Sequence, residues 1–286
     1  MTPPPLDRLR ARSAELGAGL CLGLDPHPDA LPDGLPRDVS GIETFARGLI
    51  EAAAPEAVAV KINVAFFEAF GSPGWAALER VRRDVPDDLV CVLDAKRGDI
   101  GSTADRYADG LLGHLRADAV TLSPYLGEDA IEPFLAYPDR LVYVLARTSN
   151  PSAATVQDRS HDGEPLYLDV ARWVAARWPG GRVGLVVGAT APVELEQIRG
   201  AVPGPGFLVP GVGAQGGDLA AAAWACDGEW APGLVSISRA IASAASGAAD
   251  WPRAAADAAS ALRGQLRDAV VHSEGAAIGA DRRGGS

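Results

Sequence analysis

Of the 26 lysine and arginine residues in this chain, only two are lysine, Lys61 and Lys96. Arginine is a planar fork that stays charged, whereas lysine carries a compact ammonium that can give up a proton. Both lysines close apolar runs that read as buried strands, Ala57-Val58-Ala59-Val60-Lys61 and Leu89-Val90-Cys91-Val92-Leu93-Asp94-Ala95-Lys96. A chain that spares lysine only at strand ends points to ammonium chemistry at those ends, because ionisable groups held in clefts are where such chemistry is done.

The second lysine lies in Asp94-Ala95-Lys96-Arg97-Gly98-Asp99-Ile100-Gly101-Ser102-Thr103. A strand period of two puts Val90, Val92, Asp94 and Lys96 on one face, so acid and ammonium point the same way. Gly98 turns the chain and leaves Asp99 in the loop beyond. Asp25 after the first apolar run and Lys61 after the second bring more charge to the same end, an alternating Lys–Asp array. Carboxylates flanking an ammonium favour its charged form. An imine-forming lysine needs the reverse, an ammonium that loses its proton readily. The pattern therefore points to a proton donor or an electrostatic anchor. A purely structural salt-bridge cluster is the competing reading, and it is a costly one without a task.

The elements that hold these groups are short apolar runs, each followed by a helix-like stretch. They are Leu20–Leu24, Val58–Ile62, Leu89–Leu93, Ala119–Leu122, Leu141–Leu145, Val183–Val187, Phe207–Val209 and Leu234–Ile237. Runs apolar on both faces mark a parallel sheet covered by helices. Helix-length segments include Ile42–Ala54, Trp75–Arg83, Ala104–Leu115, Leu166–Trp178 and Val193–Ile198, with Ser40 (ahead of Glu43) and Ser72 (ahead of Pro73) as caps. Eight β-then-α units predict an α/β fold, a single-domain (β/α)8 TIM barrel over 1–271. An open doubly-wound sheet would carry a Gly-rich turn after its first strand, and here the chain reads Asp25-Pro26-His27-Pro28. The polar, Gly-rich 272–286 reads as a disordered tail. Two long connections, Pro26–Asp38 and Arg147–Pro165, follow strands; the role of the second stays open. His27 reads as a rigid-loop residue rather than a catalyst.

A second charged end follows the last two strands. Gly211-Val212-Gly213-Ala214-Gln215-Gly216-Gly217 is a flexible turn whose backbone N–H groups can approach an anion. Ser236-Ile237-Ser238-Arg239 places an arginine beside it, and loops after the seventh and eighth strands of barrels commonly bind phosphate.

A formal charge of −11 argues against nucleic acid and anionic membrane as partners, since both need clustered cations. Cys21, Cys91 and Cys226 are widely spaced and read as buried reduced thiols of a cytoplasmic protein. The four histidines are scattered, so no histidine metal site is expected. The N-terminus lacks the apolar stretch of a signal peptide, and no membrane segment is expected.

Asp-x-Lys-x-x-Asp after the third strand, with Asp25 on strand one and Lys61 on strand two, resembles the orotidine 5′-phosphate decarboxylases. The longer Asp94-Ala95-Lys96-Arg97-Gly98-Asp99 form resembles a bacterial subgroup. Ser149-Asn150-Pro151 and the Pro210–Asp218 loop add to the resemblance, which spans roughly Leu20 to Ile241. It implies conversion of orotidine 5′-phosphate to UMP and CO2, without metal or organic cofactor, in pyrimidine biosynthesis. It further implies that Lys96 protonates C6 and Asp94 lies against the departing carboxylate. Lys61 and Asp25 would hold the ribose, Ser149 would read the pyrimidine edge, and Gln215 and Arg239 would hold the phosphate. Asp99 and Thr103 would reach the active site of the other subunit of a homodimer. A sister group of Mg2+-dependent sugar-phosphate lyases and synthases shares the motif, but carries an acidic residue where this chain has Lys61.

Overall fold

The computed structural model describes residues 2–213 and 216–281. Its centre is a closed barrel of eight parallel strands: β1 Leu20–Leu24, β2 Ala59–Asn63, β3 Val90–Arg97, β4 Ala119–Leu122, β5 Leu141–Arg147, β6 Val183–Val187, β7 Phe207–Pro210 and β8 Leu234–Ile237. Each strand pairs with its sequence neighbours, and β8 closes on β1 through Leu20 opposite Val235. The expected runs coincide with these strands to within a few residues. β3 and β5 run longer at their C-terminal ends, where they carry the charged residues.

Two apolar layers account for the double-sided burial. The barrel interior is filled by Cys21, Ala59, Val90, Val92, Ala119, Tyr143, Val186 and Leu208. The outer layer joins strand residues such as Leu22, Val60, Cys91 and Leu93 to the surrounding helices. Period two thus sends Val90 and Val92 inward and Cys91 and Leu93 outward, as the pattern requires. All three cysteines are free and buried, and burial pushes the Cys21 and Cys91 thiols up to about 12. Thiols that hold their protons so firmly are not nucleophiles.

The floor of the barrel is sealed by a helix the apolar runs did not reveal, Pro5–Leu16. Pro5 opens it at a position where no backbone donor is needed, and Gly17 closes it with a left-handed φ of 63°. Its Leu9 is fully buried in the interior layer.

Several local expectations are corrected. The helix Val39–Ala53 is capped by Asp38, not Ser40. Asp38 Oδ1 accepts from the Ser40 and Gly41 N–H groups and from the Ser40 hydroxyl, because a carboxylate is the stronger acceptor at a positive helix end. The helix expected from Trp75 starts earlier, at Gly71, with Phe70 before it and no side-chain cap, so Ser72 lies inside it. Ala104–Leu115 is an α-helix only over Gly101–Ala108 and then widens over Asp109–His114. The last helix runs Trp251–Asp281, ten residues into the expected aperiodic tail. A helix already nucleated extends at little cost through alanine-rich sequence such as Ala276-Ala277; 282–286 lie outside the described residues.

Candidate active site

The C-terminal ends of β1, β2 and β3 converge on one charged cluster. Lys61 is flanked in register by Gly23 of β1 and Val92 of β3. A Cβ on Gly23 would lie 2.8 Å from the Ser238 Cβ, so a larger residue there would push β8 from the mouth. The Lys61 ammonium donates to Asp94 Oδ2 at 3.0 Å and lies 3.8 Å from Asp25 Oδ1. Lys96 donates to the other oxygen, Asp94 Oδ1, at 2.6 Å. The order is Asp25–Lys61–Asp94–Lys96, alternating as expected. The two ammonium groups differ in access: the Lys61 side chain is 5% exposed and that of Lys96 49%.

Electrostatics follow from this packing. Burial alone would raise the Asp94 carboxyl, but Lys61 and then Lys96 outweigh it and hold it well below the usual carboxylate range. Burial would likewise lower the Lys61 ammonium, yet the Asp25 and Asp94 carboxylates outweigh it and hold it above the usual lysine range. Both groups are thus ionised at neutral pH. Asp25 Oδ1 is buried without a hydrogen bond, and the Lys61 ammonium 3.8 Å away balances its charge.

Period two carries the inward face only as far as Asp94. β3 advances from Leu93 to Arg97 while β4 advances only from Val120 to Leu122, so the chain bulges between them. Lys96 sits in the bulge at φ 45°, a left-handed conformation costing a non-glycine residue on the order of 1–3 kcal/mol. The Thr121 hydroxyl fills the gap in the ladder. It accepts from Ala95 N at 3.1 Å and Lys96 N at 3.0 Å, and donates to Asp94 Oδ1 at 2.8 Å.

A cleft of about 830 Å³ opens over the cluster. Among the residues proposed from sequence, Asp25, Lys61, Asp94, Lys96, Ser149 and Arg239 all line it. Asp99 and Thr103 do not. Asp99 is half-buried and binds the Ile100 N–H at 2.8 Å, and Thr103 is exposed on the following helix. Gln215 lies outside the described residues. The neighbouring turn holds Gly211, Gly213 and Gly216 at positive φ, and the Gly213, Gly216 and Gly217 N–H groups bond to carbonyls within the turn. A larger groove of about 1270 Å³, between Arg12, Arg47 and Trp251, contains none of these residues.

Sequence reasoning missed Asn63, Thr121, Thr148 and Gln157, which line the same cleft. Asn63 follows from period two past Lys61, and Thr121 is the one polar residue of an apolar run. Gln157 had no such signal. It lies in the unassigned loop, accepting from Thr148 N and donating to Thr148 Oγ1, each at 2.8 Å. That pairing folds the loop after β5 onto the cleft. His27 lines the cleft too, its Nδ1 accepting from Asp29 N at 3.3 Å to start a short turn.

Among the described residues no three His, Cys, Asp or Glu side chains group as a metal site. The family model described as "Orotidine 5'-phosphate decarboxylase / HUMPS family" matches residues 19–254. The orotidine 5'-phosphate decarboxylase of Roseiflexus castenholzii is 52% identical over 254 residues, covering 88% of this chain and 91% of the relative. The solved structure of Leishmania donovani OMP decarboxylase is 40% identical with a TM-score of 0.79, covering 93% of this chain and 99% of that one. The structure of Leishmania donovani UMP synthase is 42% identical with a TM-score of 0.80; it covers 92% of this chain, which spans only 55% of that longer protein.

Proposed function

This chain belongs to the orotidine 5'-phosphate decarboxylase / HUMPS family, and from that premise we propose that it converts orotidine 5′-phosphate to UMP and CO2. The observation that carries the reading is the Lys96 ammonium, 2.6 Å from Asp94 and half open to the cleft that Arg239 also lines.

The C6–carboxylate bond breaks with its electron pair left on C6, and CO2 departs. The Lys96 ammonium, which lines the cleft, stabilises that developing charge and then gives C6 its proton. The neutral amine regains a proton from solvent, so one proton is consumed per turnover. Preorganised charge of this kind acts without reorganisation at the moment of reaction. Asp94 is ionised and fixed by three donors, which supports its place beside the leaving carboxylate. Asp25 and Lys61, which both line the cleft, suit the ribose hydroxyls. Ser149 suits the pyrimidine edge. Arg239, with Gln215, suits the phosphate, whose remote binding energy favours closure over the base.

The rim also supports a homodimer. Asp99 and Thr103 do not line their own cleft, and Ile100, Tyr107, Tyr125 and Leu126, in the segments after β3 and β4, are exposed. Exposed large apolar side chains on the loops around a site suit an association surface. In a dimer Asp99 and Thr103 complete the partner's site, which sedimentation of Tyr125→Glu checks: that variant sediments as a monomer and loses turnover.

Buried free thiols suit a cytoplasmic enzyme, and among the described residues no helix is long and apolar enough to cross a membrane. The Mg2+-dependent lyase reading gains no support from the relatives, and buried Lys61 would repel a cation. Loss of orotate absorbance with purified protein and orotidine 5′-phosphate, in the presence of EDTA, is the decisive assay. An unchanged spectrum would refute the decarboxylase reading, and strict dependence on a divalent ion would restore the lyase.

A further inference from the structure

We infer that Thr121 is a positioning residue of this site, its hydroxyl holding the Asp94–Lys96 arch in the shape that presents the Lys96 ammonium. The inference rests on the decarboxylase reading for its catalytic consequence, while the anchoring itself stands on geometry.

Between Leu93 and Arg97, β3 leaves the β4 ladder, and the Ala95 and Lys96 N–H groups lose their regular strand partners. Unpaired donors at a half-buried strand end are costly. The Thr121 hydroxyl accepts both, at 3.1 and 3.0 Å. A hydroxyl has two lone pairs and one hydrogen. With both lone pairs engaged by the amides, the hydrogen is left for Asp94 Oδ1 at 2.8 Å. One side chain therefore sets the backbone of the bulge and the rotamer of the carboxylate together.

The consequence reaches the ammonium through two routes. Asp94 Oδ1, oriented by Thr121, is the oxygen that receives Lys96 at 2.6 Å, while Oδ2 receives Lys61 at 3.0 Å. Lys96 itself stands at φ 45°, a strained state that persists only where its surroundings over-determine it. Thr121 is 1% exposed, so solvent is poorly placed to replace the hydroxyl. Its branched Cβ leaves little χ1 freedom, which keeps the oxygen in place.

The chain's two lysines make the test direct, since selective 15N-lysine labelling yields two backbone amide signals, of which the one lost in Lys96→Arg is that of Lys96. In Thr121→Val the Lys96 amide moves and exchanges with solvent at least tenfold faster, while the Lys61 amide stays. Turnover of orotidine 5′-phosphate falls by about 100-fold, the scale of a misplaced reacting group, and UMP affinity stays within threefold. Thr121→Ser, which keeps the oxygen, returns turnover to within fivefold of the parent. The inference is overturned by any of three results: an unmoved Lys96 amide, turnover of Thr121→Val within threefold of the parent, or Thr121→Ser as impaired as Thr121→Val. Should Thr121→Val not fold, Thr121→Ala takes its place with the same outcomes. A parent protein that does not decarboxylate at all refutes the functional reading instead, and the amide signals then decide the anchor alone.

Discussion

Two buried charge clusters sit at opposite ends of the barrel, and they are built from different cations. At the floor, Asp118 is shared by three guanidinium groups. Arg8 and Arg140 bond to it, the latter at 3.2 Å, and Arg82 lies 3.9 Å away. Its second oxygen accepts from Cys91 N at 2.9 Å. Arg8 also donates to the Pro3, Asp87 and Leu89 carbonyls, at 3.2, 2.8 and 2.6 Å. At the mouth, Asp94 is shared by two ammonium groups and a hydroxyl, and one of those ammoniums is half exposed. The floor uses the forked cation, which spreads its donors over several acceptors and stays charged. The mouth uses the cation that can lose a proton. The difference teaches that a buried ion cluster is read by which cation it employs and whether a donor faces open space.

Replacing the cation at the mouth tests this most severely. Lys96→Arg keeps the charge but removes the compact proton donor. Turnover is expected to fall by about 10²–10⁴-fold, the usual contribution of a general acid, while UMP still binds in a calorimetric titration. Near-normal turnover would break the distinction between the two ends. At the floor, Asp118→Ala removes the shared partner of three guanidinium groups, of which Arg8 is buried and Arg82 and Arg140 are partly so. Stability is expected to drop by about 3–5 kcal/mol in urea unfolding, with turnover per folded molecule unchanged. A loss of turnover with an unmoved urea midpoint would show that the floor is not merely structural.

Smaller effects sharpen the contrast within the mouth. Lys61→Arg keeps an anchor's charge but forces a larger head into a site 5% exposed. A stability cost of about 1–3 kcal/mol is expected from overpacking, with a smaller loss of turnover than in Lys96→Arg. Equal losses would make Lys61 a second proton-handling group. The smallest effect is that of pH. Asp94 titrates lower in the folded chain than its ordinary 3.8. Its stabilisation is therefore complete above that value and lost as pH falls below it. Lys61 titrates higher than its ordinary 10.5, so its stabilisation is complete below that value and lost as pH rises through its folded one. From about pH 5 to 9 neither group adds a slope to stability. Urea midpoints in that window check this, and a slope that disappears in Asp94→Asn would contradict it.

Much of the fold was legible because parallel strands buried on both faces leave unbroken apolar runs. The sealing helix Pro5–Leu16 was not, since Leu6, Leu9 and the distant Leu16 make too little periodic signal. The cap at Asp38 was misread as Ser40 because only Ser40 has a Glu three residues on, and only the folded turn shows which oxygen meets the amides. Within the site, Asp25, Lys61 and Asp94 were legible from strand ends and period two, and Lys96 from its strand end alone, since the bulge breaks period two before it. Gln157 was not, because its contact with Thr148 is made by a loop whose path no periodicity constrains.

By itself, the sequence determined which chemical groups arrive at the barrel mouth: two ammonium groups and two carboxylates, each placed by its position at a strand end. The tertiary structure alone decided how they engage. Period two holds only while a ladder is continuous, and the ladder stops where β3 bulges against β4. Which residue of the neighbouring strand meets that bulge depends on register between segments some 25 residues apart. It was Thr121, and a hydroxyl there lets Lys96 stand in a conformation no local pattern would assign to it.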